Sequence, residues 1–456
     1  MKMKLYIILN FLIFSLAHSQ QNQFVIFDTT NSPIPSNRPM NLAIDNDGSY
    51  WFCFNPDWNG SNYVKGGLAK FDGTNWTIFN KDNSLLPTNF VNSIAIDRLG
   101  RKWVATDGGV VKISGNEWVI YNSQNSPLLE DYIWNVNIEG DSIVWISSRS
   151  KGFYRFDGVN WNLYNISNSP LRSDAANFVI AENNRVKWFG ADRSPLFSFD
   201  GTNWQIHGQF PFAPGPLPGI QDPDVHFMAI EKDGTKWIVG RGWYGTNVPR
   251  YSAVAKFNQS GWVIFDSTSI GFTFVPNYWG LAIDTNNVKW ITAYDKGLIK
   301  YDGTKFFVFD RTNSPFFGTT SIIVDKFNNK IFAARLNKTS PTGNNLGGIV
   351  FYNENGVVLK AEVFDGKYSK SFYLQQNYPN PFNSTTKIQF NLSHNSFVKL
   401  RVYDVLGRLV EVVVEKELEA GVHIYDFKAN DLPAGLYFYR LEAGNFTQTK
   451  KMLLIK

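Results

Sequence analysis

Ile94-Ala95-Ile96-Asp97-Arg98-Leu99-Gly100-Arg101-Lys102-Trp103 reads as a short apolar strand closed by an acid, a tight turn, and a second strand that opens on tryptophan. The phrase returns along the chain, as in Leu281-Ala282-Ile283-Asp284 followed by Trp290. Its second-strand column is Trp51, Trp103, Trp145, Trp188, Trp237, Trp290 and Ile331, spaced 41 to 53 residues apart. The acid column is Asp45, Asp97, Glu139, Glu182, Glu231, Asp284 and Asp325. Asp-Gly turns follow at Asp72-Gly73, Asp157-Gly158, Asp200-Gly201 and Asp302-Gly303, each leading into an aromatic fourth strand. Four short antiparallel strands per repeat of about 45 residues is the pattern of a β-propeller.

The seventh copy lacks a good fourth strand, and the N-terminus supplies one. Asn22 to Phe27 followed by Asn31-Ser32-Pro33 matches Asn116 to Tyr121 followed by Asn125-Ser126-Pro127 without a gap. This half-repeat is expected to pair with residues 349–352 and close the ring, leaving no open sheet edge. The fold class is therefore all-β: a seven-bladed β-propeller plus a small C-terminal Ig-like β-sandwich.

The chain has 456 residues, 16% aromatic and 18% charged, with a net charge of +5. That balance suits many short strands with large side chains between them and argues against disorder. The basic residues are dispersed, so nucleic acid is not an expected partner. Cys53 is alone in the strand-like run Trp51-Phe52-Cys53-Phe54, which excludes an intrachain disulfide and a thiolate metal site, and reads as a buried thiol. The five histidines show no metal-ligand spacing, and no metal is expected. No phosphate loop or nucleophile elbow is present, and no cofactor is expected.

Lys2, Lys4, the apolar run from Leu5 to Ala17 and the small residues of Ala17-His18-Ser19 read as a signal peptide over residues 1–19. The propeller is assigned to 20–358, a linker to 359–377, and a further domain to 378–456. No later segment is expected to span a bilayer.

Two resemblances sharpen this. The Asp-x-x-Gly-x-x-Trp core, as in Asp97 to Trp103, resembles the two-component-regulator propeller repeat over residues 24–358. From Tyr378 the chain resembles the type A C-terminal sorting domain of the type IX secretion system. That likeness is carried by Tyr378-Pro379-Asn380-Pro381-Phe382, by Gly407-Arg408, by Gly435 with Tyr437, and by Lys450-Lys451. It implies delivery by the secretion translocon and sorting machinery, through the periplasm, to the outer-membrane cell surface or the medium.

The variable loops expected on one face of the ring carry Trp58, Tyr63, Trp243 and Tyr244, while Trp134, His226 and Trp279 begin inner strands at the same mouth. Four residues past the second-strand landmark stand Arg149, Arg241 and Arg335. Aromatic faces with arginines suit sugars or anionic groups. The opposing possibility is that the arginines pair with Asp107 and Asp192 of neighbouring blades. The seven strand-end acids are read as turn caps, because a glycosidase needs two special carboxylates rather than seven equivalent ones.

The leading functional reading is an exported binding protein for a glycan, a peptide or another envelope component. A lyase or glycan-active hydrolase is the alternative: streptogramin lyases carry similar repeats and rely on a His with acidic help, and only His226 falls near such a place. A periplasmic or surface partner of a sensor system is a third possibility.

Overall fold

The computed structural model describes residues 23–182, 185–207, 224–242, 251–265, 267–272, 277–339, 345–354, 356–359, 373–374, 377, 380–392, 394–419, 421–429, 431–444 and 446–455. The described residues fall into two compact units that divide between residues 358 and 359. The signal-peptide residues lie outside the described residues. Apart from a four-residue helix at Ser267–Ile270, the regular structure of the described residues is strand.

The first unit is a propeller-like array. Among the described residues it holds seven four-stranded antiparallel sheets. Their innermost strands, in order, are Pro39–Ile44, Val91–Ile96, Ile133–Glu139, Ala176–Ala181, Asp224–Ile230, Tyr278–Ile283 and Phe316–Val324. Each packs beside the innermost strand of the next sheet, and Phe316–Val324 packs beside Pro39–Ile44. The seventh sheet is completed from the other end of the unit. Phe24–Asp28 runs antiparallel to Asn345–Tyr352, with Phe24 opposite Tyr352 and Asp28 opposite Gly348.

The repeat columns now acquire physical roles. Six landmark tryptophans are buried between sheets, at 5% exposure or less. Each packs on a ring three residues past the aromatic of its own fourth strand: Phe79, Tyr121, Tyr164, His207, Phe265 and Phe309, stacked or tilted with centroids 4.4 to 6.0 Å apart. His207 thus fills a place that elsewhere takes Phe or Tyr; its Nε2 meets Ser198 Oγ at 2.6 Å. Burial of such rings is the main stabilising term, each indole being worth about 3–5 kcal/mol against alanine. The glycine opening the third strand also has a reason. At Gly297 φ is +89° and an added Cβ would lie 1.8 Å from Phe309 O, so no larger residue fits.

The acid column does more than cap turns. Asp97 Oδ1 accepts from Leu99 N and Arg101 N, and Asp284 Oδ1 from Asn286 N and Val288 N, which is the capping role. A carboxylate oxygen in each of six sheets also accepts the landmark indole N–H, as Glu139 Oε2 does from Trp145 Nε1 at 2.7 Å and Asp284 Oδ2 from Trp290 Nε1 at 3.0 Å.

The same acids receive a lysine from the next sheet, the residue just before that sheet's landmark. The pairs are Lys102–Asp45 (2.5 Å), Lys187–Glu139 (2.8 Å), Lys236–Glu182 (2.7 Å), Lys289–Glu231 (2.7 Å) and Lys330–Asp284 (3.1 Å). Lys102, Lys236, Lys289 and Lys330 also sit over the preceding sheet's indole, at 4.9 to 5.3 Å from the ring centroid. Between the second and third sheets the position holds Val144, and Asp97 is paired instead with Arg101 of its own turn at 2.5 Å.

The second unit has a three-stranded sheet (Tyr373–Leu374, Thr385–Leu392, Gly421–Lys428) and a four-stranded one (Ser396–Tyr403, Leu409–Leu418, Gly435–Ala443, Phe446–Leu454). Alternating residues from both form one apolar core that includes Ile388, Phe390, Val398, Leu400, Tyr439 and Met452.

Candidate ligand-binding site

The innermost strand of each sheet breaks register with its partner near its start. The extra residue is Asn92, Trp134, Asn177, His226 or Trp279 in sheets two to six. Met40 and Thr320 fall within the corresponding breaks of sheets one and seven. All seven stand eleven residues before the landmark position. A bulge re-aims the side chain it adds, and all seven residues line a cavity of about 1160 Å³.

Three of these residues join neighbouring sheets. Asn92 Nδ2 donates to Ile133 O at 2.9 Å and Asn177 Nδ2 to Val225 O at 3.1 Å. His226 Nδ1 lies 2.7 Å from Tyr278 O. In each case the acceptor is the residue just before the next sheet's bulge. A carbonyl only accepts, so His226 carries its proton on Nδ1 and does the work of the two asparagines.

The remaining bulges carry the aromatics. Trp134 and Trp279 belong to the third and sixth sheets, which are not neighbours, yet their ring centroids are 6.4 Å apart. They meet across the axis of the array. His226 and Tyr294 flank Trp279, each with its centroid at 6.2 Å.

The position four residues past the landmark varies in step with the bulge. In sheets two and four, where the bulge is asparagine, it is Asp107 or Asp192, accepting from Asn92 at 2.8 Å and Asn177 at 3.0 Å. Desolvation pushes the Asp107 carboxyl up, against the hydrogen bond from Asn92 and the charge of Arg149. In sheets three and seven it is arginine. Arg149 lies over the Tyr132 ring at 5.0 Å, and Arg335 over Tyr294 at 5.0 Å and Phe317 at 4.9 Å. Among the described residues, neither guanidinium has a carboxylate within 4 Å. Arg149 and Arg335 are therefore not paired with Asp107 or Asp192 within that distance; those acids accept from Asn92 and Asn177, and the Arg241 side chain lies outside the described residues.

Of the residues singled out in the sequence, Trp58, Trp134, Arg149, His226, Trp279 and Arg335 line the cavity together. Tyr63 does not; it packs outside it, against Trp58 at 5.0 Å and Phe90 at 5.1 Å. Trp243 and Tyr244 lie outside the described residues. Arg241 has its backbone in Lys236–Gly242, opposite Asp224, and its side chain lies outside the description. Sequence reasoning missed Asn92, Asn177, Thr320 and Tyr294; aligning the repeats on the landmark would have found them. Four atoms of cavity-lining residues, Asn55 Oδ1, Asn92 Oδ1, Thr320 Oγ1 and Ser321 Oγ, are buried without a hydrogen-bond partner among the described residues. Among those residues no cluster of metal-ligating side chains occurs.

The sorting motif is built into the second unit. Asn380 Oδ1 accepts from Leu453 N at 2.8 Å, and buried Phe382, after Pro381, bonds backbone to backbone with Leu453 and Ile455. Asp404 caps the turn through Gly407, accepting from Leu406 N and Arg408 N and, at 2.6 Å, from Arg408 Nε. Gly435 opens the strand in which Tyr437 is buried, with its hydroxyl on Pro433 O at 2.8 Å. Lys450 and Lys451 stand opposite Tyr439 and Phe438, and desolvation lowers the Lys450 pKa. Tyr378 and Pro379 lie outside the described residues.

Comparison with known proteins agrees with both units. No curated protein matches the chain in sequence. By structure it is similar to the extracellular domain of the hybrid two-component system BT4673 from B. thetaiotaomicron, with TM-score 0.54 and 13% identity, covering 95% of this chain and 59% of that one. The corresponding domain of BT3049 gives TM-score 0.54 and 13% identity, over 95% and 57%. Virginiamycin B lyase from Staphylococcus aureus gives TM-score 0.52 and 12% identity, over 72% and 99%. The chain thus spans under two thirds of the two-component proteins' domains, and identities this low show a shared propeller fold alone. Among the described residues no helix is long and apolar enough to cross a membrane. Residues 376–456 match the family described as the secretion system C-terminal sorting domain, and the chain is therefore a propeller protein sorted by type IX secretion to the cell surface or the medium.

Proposed function

We propose that the chain is an exported seven-bladed β-propeller, followed by an Ig-like sorting sandwich, that binds a glycan or another envelope component in its axial cavity. The observation that carries this is the bulge column. Where sheets two, four and five use that position to join their neighbours, the third and sixth spend it on Trp134 and Trp279, whose rings meet over the cavity. A rigid scaffold with aromatic faces and a few polar groups around a cavity of this size suits a small ligand or a chain end. The sorting machinery is the expected partner of the second unit. A lyase reading would need His226 as a base, and the bond to Tyr278 O, which repeats a structural bond of Asn92 and Asn177, counts against it.

The mature full-length chain should be screened on an array of bacterial envelope and host glycans, beside the double variant Trp134→Ala/Trp279→Ala. Binding by the wild type that the variant loses, with an unchanged melting temperature, supports the reading. Binding that survives both substitutions moves the site away from the cavity.

A further inference from the structure

We infer that the cavity takes an acidic saccharide, a sugar bearing a carboxylate, with Arg149 and Arg335 as its anion-binding groups and Trp134 and Trp279 as its stacking surface. This rests on the binding reading above and adds the chemical class of the ligand.

The lining is short of anions for its cations. It contains Arg38, Arg149 and Arg335 against Asp57 and Asp192; Asp107, outside the lining but within reach of the charge of Arg149, is held by Asn92, and the two lining acids are already engaged. Asp57 accepts from Asn37 N and Nδ2, and Asp192 from Asn177 Nδ2. Arg38 spends Nη1 on Pro56 O at 3.1 Å. Arg149 and Arg335 instead have their guanidinium carbons over the Tyr132 and Tyr294 rings, 5.0 Å from each centroid, with no carboxylate within 4 Å among the described residues. A guanidinium presents a fork of N–H donors that a planar, bidentate carboxylate matches.

The remaining lining suits a sugar. The C–H face of a pyranose packs on an indole, which Trp134 and Trp279 supply, and the polar lining, which includes Asn41, Asn135 and Asn137, suits its hydroxyls. An apolar ligand would leave both guanidiniums without an anion. A neutral sugar would use the indoles and the polar lining but neither arginine.

The test is calorimetry on the mature full-length chain with trigalacturonate, trimannuronate, a hyaluronan tetrasaccharide and 3′-sialyllactose, each beside its carboxyl-reduced counterpart. We expect at least one acid to bind about tenfold or more tighter than its reduced form, the scale of one charge-assisted contact. Arg149→Gln/Arg335→Gln should erase that difference, and Trp134→Ala/Trp279→Ala should abolish binding of both forms. Thermal melts of each variant establish that it is folded. Equal affinity for acid and reduced forms, lost with the tryptophans, overturns the acidic-ligand inference and leaves the cavity reading standing. Acids that all fail to bind, while neutral glycans on the array bind through the tryptophans, do the same. Binding of any of these sugars that survives loss of both tryptophans overturns the two together, as does a chain that binds no saccharide at all.

Discussion

The Tyr50 hydroxyl donates a 2.7 Å hydrogen bond to Asp325 Oδ2 across 275 residues of sequence, and by it the first sheet grips the seventh. Tyr50 stands just before Trp51, where five other sheets place a lysine that reaches back to the preceding sheet's acid. At the seam where the array closes, a neutral hydroxyl takes the place of the ammonium. Asn329 Nδ2 supplies Asp325 Oδ2 with a second donor at 2.7 Å.

Tyr50→Phe should therefore loosen the closing seam without emptying it. The ring stays packed on Phe351 and Phe71, and loss of one buried bond to a carboxylate costs about 1–3 kcal/mol. Removal of residues 24–28 should cost far more, since it strips the outer strand from Asn345–Tyr352 and exposes that edge. Urea unfolding followed by tryptophan fluorescence measures both. A deletion variant as stable as the intact chain would refute closure by the N-terminal strand.

Lys330 and Asp284 have side chains only 1% exposed, so breaking the pair strands a buried charge. Lys330→Met should destabilise the chain by about 3–5 kcal/mol at neutral pH. The penalty should shrink in acid. Burial raises the Asp284 pKa, but the Trp290 indole, Lys330 and Val288 N outweigh it and hold the carboxyl below its usual range. Glu231 is likewise lowered, against burial, by Lys289, Asn287 and Trp237. A carboxyl whose pKa falls on folding contributes stability above its unfolded value of about 4, and that contribution is lost as the pH drops through the folded value. Melting temperatures of the wild type and Lys330→Met should thus converge below about pH 4; a constant gap down to pH 3 would argue against this coupling.

His226→Asn should be nearly silent in stability, because asparagine already does the same job at positions 92 and 177. His226→Ala should lose about 1 kcal/mol with the inter-sheet hydrogen bond. If His226→Asn abolished a turnover that the wild type performs, the imidazole would be a catalytic group and the structural account of it would fail.

Cys53 is fully buried and desolvation pushes its thiol well up. It should resist an aromatic disulfide reagent in the folded chain and react at the rate of unfolding. Reaction in native buffer within minutes would show that the first sheet opens far more readily than its packing implies.

Loss of residues 376–456, the sorting domain, should leave a folded propeller in the periplasm, because the two units have separate cores. Fractionation of the native host with antibody to the propeller checks this. Truncated protein on the surface would show that another segment carries the address.

Local chemistry was legible in the sequence because it repeats. A strand ending in an acid, a turn needing Gly or Asn, and a large apolar landmark (tryptophan in six copies, Ile331 in the seventh) every 41 to 53 residues are short-range demands that each copy must meet alone. The sorting motif at the C-terminal end occurs once and was legible because its short local runs resemble those of a known sorting domain. The acids' second role was not, because Asp45 and Lys102 meet only once neighbouring sheets have packed. Nor was the division of the bulge column. Asn92, His226 and Trp279 occupy one backbone position, and only the next sheet's carbonyl, or a ring arriving from across the axis, decides whether each side chain joins two sheets or faces the cavity. The residues and their spacing are written along the chain; which groups meet at the axis is decided by closing seven sheets into a ring, which brings Trp134 and Trp279, 145 positions apart in sequence, to 6.4 Å.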